Sequence, residues 1–179
     1  MSNEDSPDLK RALRSIRLVI ADVDGVMTDG GIVIAADGSE LKVFNVRDGS
    51  GIKFLMRHGI QTAILSARPC AAVTERAKAL GMTHCVTNAL DKLPAYRKLL
   101  AEAGVSDSEV CYIGDDLPDL PPMRCAGLPV AVADAVPEVQ SAARYVTRTP
   151  GGRGAVREVA EMILKAQGKW DGLMERYKS

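Results

Sequence analysis

A chain of 179 residues, 46% hydrophobic and 26% charged, has enough apolar material for one domain with a full core and is too balanced for a disordered or fibrous polymer. Its 23 basic and 23 acidic side chains give a formal net charge of zero, so bulk electrostatics offers no case for nucleic acid or an anionic membrane and leaves copies of the chain free to associate. No stretch approaches the ~20 apolar residues of a membrane span. Residues 1–10 are polar and acidic, without the apolar core of a secretory signal, so a cytoplasmic protein is expected. Cys70, Cys85, Cys111 and Cys125 show no C-x-x-C pairing or histidine spacing and read as reduced structural thiols.

In chain order, residues 1–15 read as an N-terminal extension, 16–167 as a single domain and 168–179 as a C-terminal tail. The first element is an apolar strand over 16–21, rich in β-branched residues. Residues 32–36 and 40–44, separated by Asp37-Gly38, form a hairpin signal. Asp48 is placed to cap a helix through Ile52, Phe54, Leu55 and His58 that Gly59 stops. A buried strand over 60–65 follows, then a helix opened by Pro69 and closed by Gly81. Further elements are a short strand at Cys85-Val86, a helix over 91–103, a strand over 110–113 and a short helix near Asp119. Strands at 128–132 and at Tyr145-Val146 come next. A last helix over 153–166 carries an apolar stripe of Val156, Val159, Ala160, Ile163 and Leu164. This alternation predicts an α/β fold: a doubly wound, mostly parallel, Rossmann-like sheet with a protruding β-hairpin.

The chemistry concentrates where predicted strands end. Asp22-Val23-Asp24-Gly25 follows the first strand and delivers two carboxylates to the edge at which open α/β sheets bind ligands. Two acids so close resist ionising together, which suits one to attack and the other to carry a proton. An EF-hand loop is excluded, since it needs a preceding helix and glycine at its sixth position, where this chain has Met27. Ser66 follows the second strand, with Arg68 two residues on. Lys92 opens a helix, and Gly114-Asp115-Asp116-Leu117-Pro118-Asp119 follows a further strand. Singly, Ser66 reads as a helix cap, Lys92 as a surface lysine and the last motif as a turn with capping acids. Together, in this order, they describe a phosphate site. His58 and His84 read as structural.

This order of motifs resembles the haloacid-dehalogenase-like phosphatases, whose four motifs match Asp22/Asp24, Ser66, Lys92 and Asp115/Asp116. The resemblance implies Asp22 as nucleophile, Asp24 as general acid and base, and Ser66 and Lys92 as catalytic phosphate ligands. It also implies Mg²⁺ held by Asp22, the backbone carbonyl of Asp24 and Asp115. The spacings leave no room for a cap domain, so a lid supplied by another subunit is expected, with the hairpin as the assembly element; the bland alternative is a solvated ribbon. Asn45-Val46-Arg47-Asp48-Gly49 and Gly151-Gly152-Arg153-Gly154-Ala155-Val156-Arg157-Glu158 are similar to motifs of 3-deoxy-D-manno-octulosonate 8-phosphate phosphatases. That family resemblance, over roughly residues 16–169, implies a homotetramer with no nucleic-acid or membrane partner, acting on this sugar-acid phosphate on the way to lipopolysaccharide. It implies substrate contacts from Asp24, Asn45, Val46, Arg47, Asp48, Gly49, Lys53, Arg68, Arg76, Lys92 and Arg153. The chain departs from the usual pattern at Ala67, where glycine is common, and at Thr87-Asn88-Ala89-Leu90-Asp91, where relatives often carry a Gln-Gly loop. A nonulosonate 9-phosphate phosphatase and a catalytically idle oligomeric module of the same fold are the competing readings. The absence of a second domain argues against a fused cytidylyltransferase. Asp116 and Asp119 are left between orienting ligands and capping the next helix.

Overall fold

The structure is a computed structural model that describes residues 6–178. Its centre is a six-stranded, wholly parallel sheet. The strands are β1 (Leu18–Ala21), β4 (Gln61–Leu65), β5 (His84–Val86), β6 (Val110–Gly114), β7 (Leu128–Ala131) and β8 (Tyr145–Val146), in the order β5-β4-β1-β6-β7-β8. Every residue of β1 and β6 is buried, as parallel strands covered on both faces require. Helices α1 (Pro7–Ser15), α2 (Val46–Arg57), α7 (Ala155–Ala166) and α8 (Trp170–Glu175) pack as one group. Helices α4 (Lys92–Ala103), α5 (Leu120–Met123) and α6 (Pro137–Ala142) form another, and α3 (Ala71–Leu80) packs beside β5. Strand order reverses between β1 and β6, and the loops leaving those strands part there to open a crevice at the sheet's carboxyl edge.

The hairpin stands apart as a second, two-stranded sheet of β2 (Val33–Ile34) and β3 (Glu40–Leu41). Its paired strands are shorter than the runs over 32–36 and 40–44 because the turn takes more of the chain: Asp37 accepts from the backbone of Ser39 and Ala35 bonds Ser39 in turn. Among the described residues no cap domain interrupts the chain, and no helix is long and apolar enough to cross a membrane.

Three boundaries differ from the sequence expectation. Asn45, not Asp48, caps α2, accepting from the Arg47 amide at 2.8 Å. Asp48 is buried in the first turn and instead accepts the Arg157 amide of α7 at 2.8 Å, so the expected cap of one helix ties down the start of another. Helix α3 begins at Ala71 rather than Pro69, and α7 at Ala155 rather than Arg153, because Gly154 adopts a left-handed conformation. Two stretches drawn outside the domain pack on it. Helix α1 buries Leu9, Ala12 and Leu13 at helical spacing, and α8 buries Leu173 and lays Trp170 under Arg157 and Lys165. Cys85, expected as a small hydrophobe, is exposed because β5 is the sheet's edge, whereas Cys111 is buried in β6.

Candidate active site

The floor of the crevice is a charged cluster with little access to water. Asp22 leaves β1 with its amide bonded to the Ile113 carbonyl at 3.0 Å, which continues the β1–β6 register and fixes its position. Lys92 is the first residue of α4, whose N-cap is Asp91. Its ammonium lies 3.0 Å from Asp22 Oδ1 and 2.7 Å from Asp119 Oδ1. Asp119 is fully buried. Its Oδ1 also accepts from the Tyr112 hydroxyl at 2.7 Å, and its Oδ2 accepts from the amides of Asp115 and Asp116 at 3.0 and 3.4 Å. The question left open by the sequence thus divides: Asp119 orients Lys92 and the Asp115 loop, whereas Asp116 caps the following turn through the Leu117 amide.

Oxygens of Asp22, Asp115 and Asp119 lie within 4.8 Å of one another. Burial, and then the charge of Asp119, push Asp22 up to about 7 against the pull of Lys92. Burial and the charges of Asp22 and Asp119 push Asp115 up to about 8. Lys92 is penalised by burial, yet Asp22 and Asp119 hold it above its ordinary value. Three acids facing one ammonium leave the cluster short of positive charge. Among the described residues Asp115 Oδ1 also has no hydrogen-bond partner, although it is buried. An all-oxygen, electron-rich donor set of this kind fits a hard divalent cation. Because the Asp119 oxygens already accept from four donors, Asp22 and Asp115 are the carboxylates with capacity left for it.

Backbone packing shapes the loop that carries Asp22. Gly25 has φ of +88°, and a Cβ there would lie 2.0 Å from Asp115 Oδ2, so only glycine lets the two loops meet. Gly151 presses on the same loop: its Cβ would stand 1.7 Å from the Gly25 carbonyl oxygen, and the Gly152 amide bonds the Val26 carbonyl at 2.9 Å.

Ser66, Arg68 and Asp24 form the upper wall. Ser66 is buried, with its Oγ accepting the Arg68 amide at 3.3 Å; it does not cap α3, whose N-cap is Cys70. Arg68 reaches Glu40 at 2.6 Å and stands 4.0 Å from Asp24 Oδ2. The hairpin adds a residue that sequence reasoning missed: the Lys42 ammonium bonds Asp24 Oδ1 and lies 2.6 Å from Glu40. The available signal was the spacing of two, which puts Glu40 and Lys42 on one face of a strand.

A cavity of about 190 Å³ is lined by Asp22, Asp24, Ser66, Ala67, Arg68, Lys92, Asp115, Asp116, Pro118 and Asp119. The other expected binding residues do not line it. Arg47 and Arg153 border two separate clefts of the same protomer, one of them shared with Asn45 and Val46. Arg153 pairs with Asp29 at 3.1 Å. Lys53 is exposed on α2. Arg76 stacks on Phe44 and donates to the Asn45 carbonyl at 3.4 Å, with a buried Nε that has no hydrogen-bond partner among the described residues. Gly49 is buried beside the Arg76 guanidinium, and Asp48 is committed to α7. Within one protomer these two therefore serve packing rather than an open binding surface.

Comparison with known proteins gives a consistent picture. Residues 84–159 match the model of the haloacid dehalogenase-like hydrolase family. The chain is 51% identical over 165 residues to the 3-deoxy-D-manno-octulosonate 8-phosphate phosphatase of Yersinia pestis, covering 92% of this chain and 88% of that one. It superposes with a TM-score of 0.93 on the Moraxella catarrhalis phosphatase of that name, solved with magnesium, phosphate and KDO, at 40% identity over 96% and 98% of the two chains. The cobalt-bound deoxy-D-mannose-octulosonate 8-phosphate phosphatase of Haemophilus influenzae superposes at 0.86, with 46% identity over 88% and 92% of the chains.

Proposed function

The chain belongs to the haloacid dehalogenase-like hydrolases, in the family of 3-deoxy-D-manno-octulosonate 8-phosphate phosphatases, and on that premise we propose that it hydrolyses this ester to the free sugar acid and phosphate. The observation that carries the reading is the buried Asp22–Lys92–Asp119 cluster beside Asp115, whose Oδ1 lacks a partner among the described residues, at the switch point of the sheet. Asp22 attacks phosphorus; the bond from phosphorus to the sugar oxygen breaks, and Asp24 gives that oxygen a proton. Water then attacks the aspartyl-phosphate, surrenders a proton to Asp24 and releases inorganic phosphate. Lys92 and Ser66 hold the equatorial oxygens throughout, where charge develops. Asp22, Asp115 and the Asp24 carbonyl would hold Mg²⁺. When bound, it supplies the charge that keeps both carboxylates ionised at neutral pH and offsets that of the phosphoryl group.

The finer assignments belong to the same proposal. Arg68 meets the substrate from within the protomer. Arg47, Arg76 and Arg153, with Asn45, Val46 and Lys53, serve an acid group or a neighbour's cleft in a homotetramer. The hairpin's outer face supports assembly: Val33, Leu41 and Val43 share it by register and are all more than half exposed. Four free cysteines agree with a reducing cytoplasm and a place in lipopolysaccharide precursor synthesis. The test is phosphate release from the eight-carbon and nine-carbon esters, with and without Mg²⁺. Metal-dependent preference for the eight-carbon ester is expected. Preference for the nine-carbon ester moves the substrate, and silence on both in a folded protein leaves an idle module.

A further inference from the structure

The hairpin is built inside out. In a ribbon standing off a domain, apolar side chains ordinarily face the protein and lysines face water, because an ammonium is strongly hydrated. Here Leu41 and Val43 are exposed at 54% and 78%, whereas the Lys42 side chain between them is 1% exposed. Its ammonium donates a hydrogen bond to Asp24 Oδ1 and ion-pairs with Glu40 Oε1 at 2.6 Å, and Glu40 in turn binds Arg68 at 2.6 Å through its other oxygen. A buried lysine is tolerated only where such partners compensate its desolvation, so this placement is specified rather than incidental.

We propose that Lys42 is a positioning residue for Asp24: it holds Oδ1 and leaves Oδ2 as the oxygen that exchanges the proton with the leaving group. The inference rests on the reading of Asp24 as acid and base, and adds to it the group that aims the carboxylate. Among the described residues Oδ2 has no hydrogen-bond partner, and the Arg68 Nε stands 4.0 Å away, beyond bonding distance. Both Asp24 and Arg68 line the cavity, so the unbonded oxygen belongs to a group that borders the substrate space. Glu40 completes the device by fixing Lys42 and Arg68 to each other across the top of the wall. The hairpin then has two faces with two tasks: the apolar one toward another subunit, the charged one toward the proton donor.

Leaving-group dependence tests this, because an alkoxide must be protonated as it departs and a nitrophenolate need not be. The readout is kcat/KM, which reports steps up to departure, for Lys42→Met on alkyl phosphates, including the eight-carbon ester, and on p-nitrophenyl phosphate. The variant is expected to lose about 100-fold on alkyl esters and less than about threefold on the aryl ester. Asp24→Asn should show the same asymmetry, adding Lys42→Met to it should cost little more, and Lys42→Arg should recover much of the alkyl rate. Equal losses on both ester classes, or full additivity with Asp24→Asn, would overturn the proposal and reduce Lys42 to a tether of the hairpin. Should Lys42→Met misfold by circular dichroism, Lys42→Gln keeps a polar stem, and its alkyl-to-aryl ratio decides the matter in the same way. A wild-type protein that cleaves simple alkyl phosphates but not the eight-carbon ester defeats the substrate reading alone, and the alkyl-to-aryl comparison still decides Lys42. A wild-type protein silent on every ester defeats both.

Discussion

The floor of the crevice and the hairpin above it solve the problem of placing charge in opposite ways. On the floor, Asp22, Lys92 and Asp119 are held by the ends of parallel strands and a helix start, buried, and bonded to one another and to the backbone. On the hairpin, Glu40 and Lys42 sit on a ribbon of two paired residues per strand whose other face is apolar and open. The floor is preorganised by the fold itself, so its groups need no rearrangement to meet a phosphoryl group. A two-stranded ribbon is marginal alone and takes its rigidity from what it touches. In the proposed mechanism one region supplies the chemistry of phosphorus, and the other is where substrate, neighbour and proton donor would meet.

Asp22→Asn tests the floor most severely. Turnover should fall by at least about 10⁴-fold while thermal stability holds or rises, because one of three acids crowded around a single lysine is removed. An unchanged rate would end the nucleophile assignment. Lys92→Met comes next: it leaves Asp22 and Asp119 facing each other in a buried site, which should cost about 3 kcal/mol in a denaturant titration and about 10²-fold in kcat. A stable Lys92→Met protein would show that the floor tolerates uncompensated charge, and the contrast with the hairpin would weaken. On the hairpin, Val33→Asp with Val43→Asp should yield a folded monomer by light scattering, with activity lowered by about tenfold, since the changes touch assembly and not the charged inner face. An oligomer of undiminished size would make the outer face a solvated ribbon.

The smallest expected effect is on pH. Asp22 and Asp115 bind protons more tightly in the folded protein than the ordinary carboxylate does, with values near 7 and 8 in place of 3.8. Between about pH 4 and pH 8 the metal-free fold therefore holds more protons than the unfolded chain and loses stability as pH rises. Mg²⁺ displaces those protons, so its stabilising shift in Tm should be larger near pH 8 than near pH 6, by a few degrees. A shift independent of pH would place the cation away from these two acids.

The same contrast explains what could be read from the chain. Asp22, Ser66 and Asp115 were legible because each follows a strand whose β-branched run declares its direction and end, and a parallel sheet gathers such ends on one edge. Lys42 and Glu40 were not, because a short ribbon has no fixed inside: its alternation marks two faces without saying which is buried. The fold class was equally plain, while caps were harder. Asn45 and Asp48 are both good capping residues three apart, and only the approach of α7 decides which serves α2. Helix α1 carried a helical signal in Leu9, Ala12 and Leu13, but its polar surroundings disguised it as an extension, since its burial depends on α7, formed much later in the chain.

That late dependence extends to the active loop. The turn carrying Asp22 leaves the ribosome with the first strand, while Gly151 and Gly152, which brace it backbone against backbone, emerge only after the last strand of the sheet. The strand β6 that pins the Asp22 amide, and the Asp115 that shares its cluster, also arrive late. Synthesis proceeds from the N-terminus, so a growing chain displays the first motif long before the frame that makes it reactive. In the proposed mechanism competence thereby waits on Gly151 and Gly152, and a chain terminated before them keeps its Asp22 without the backbone that braces its loop.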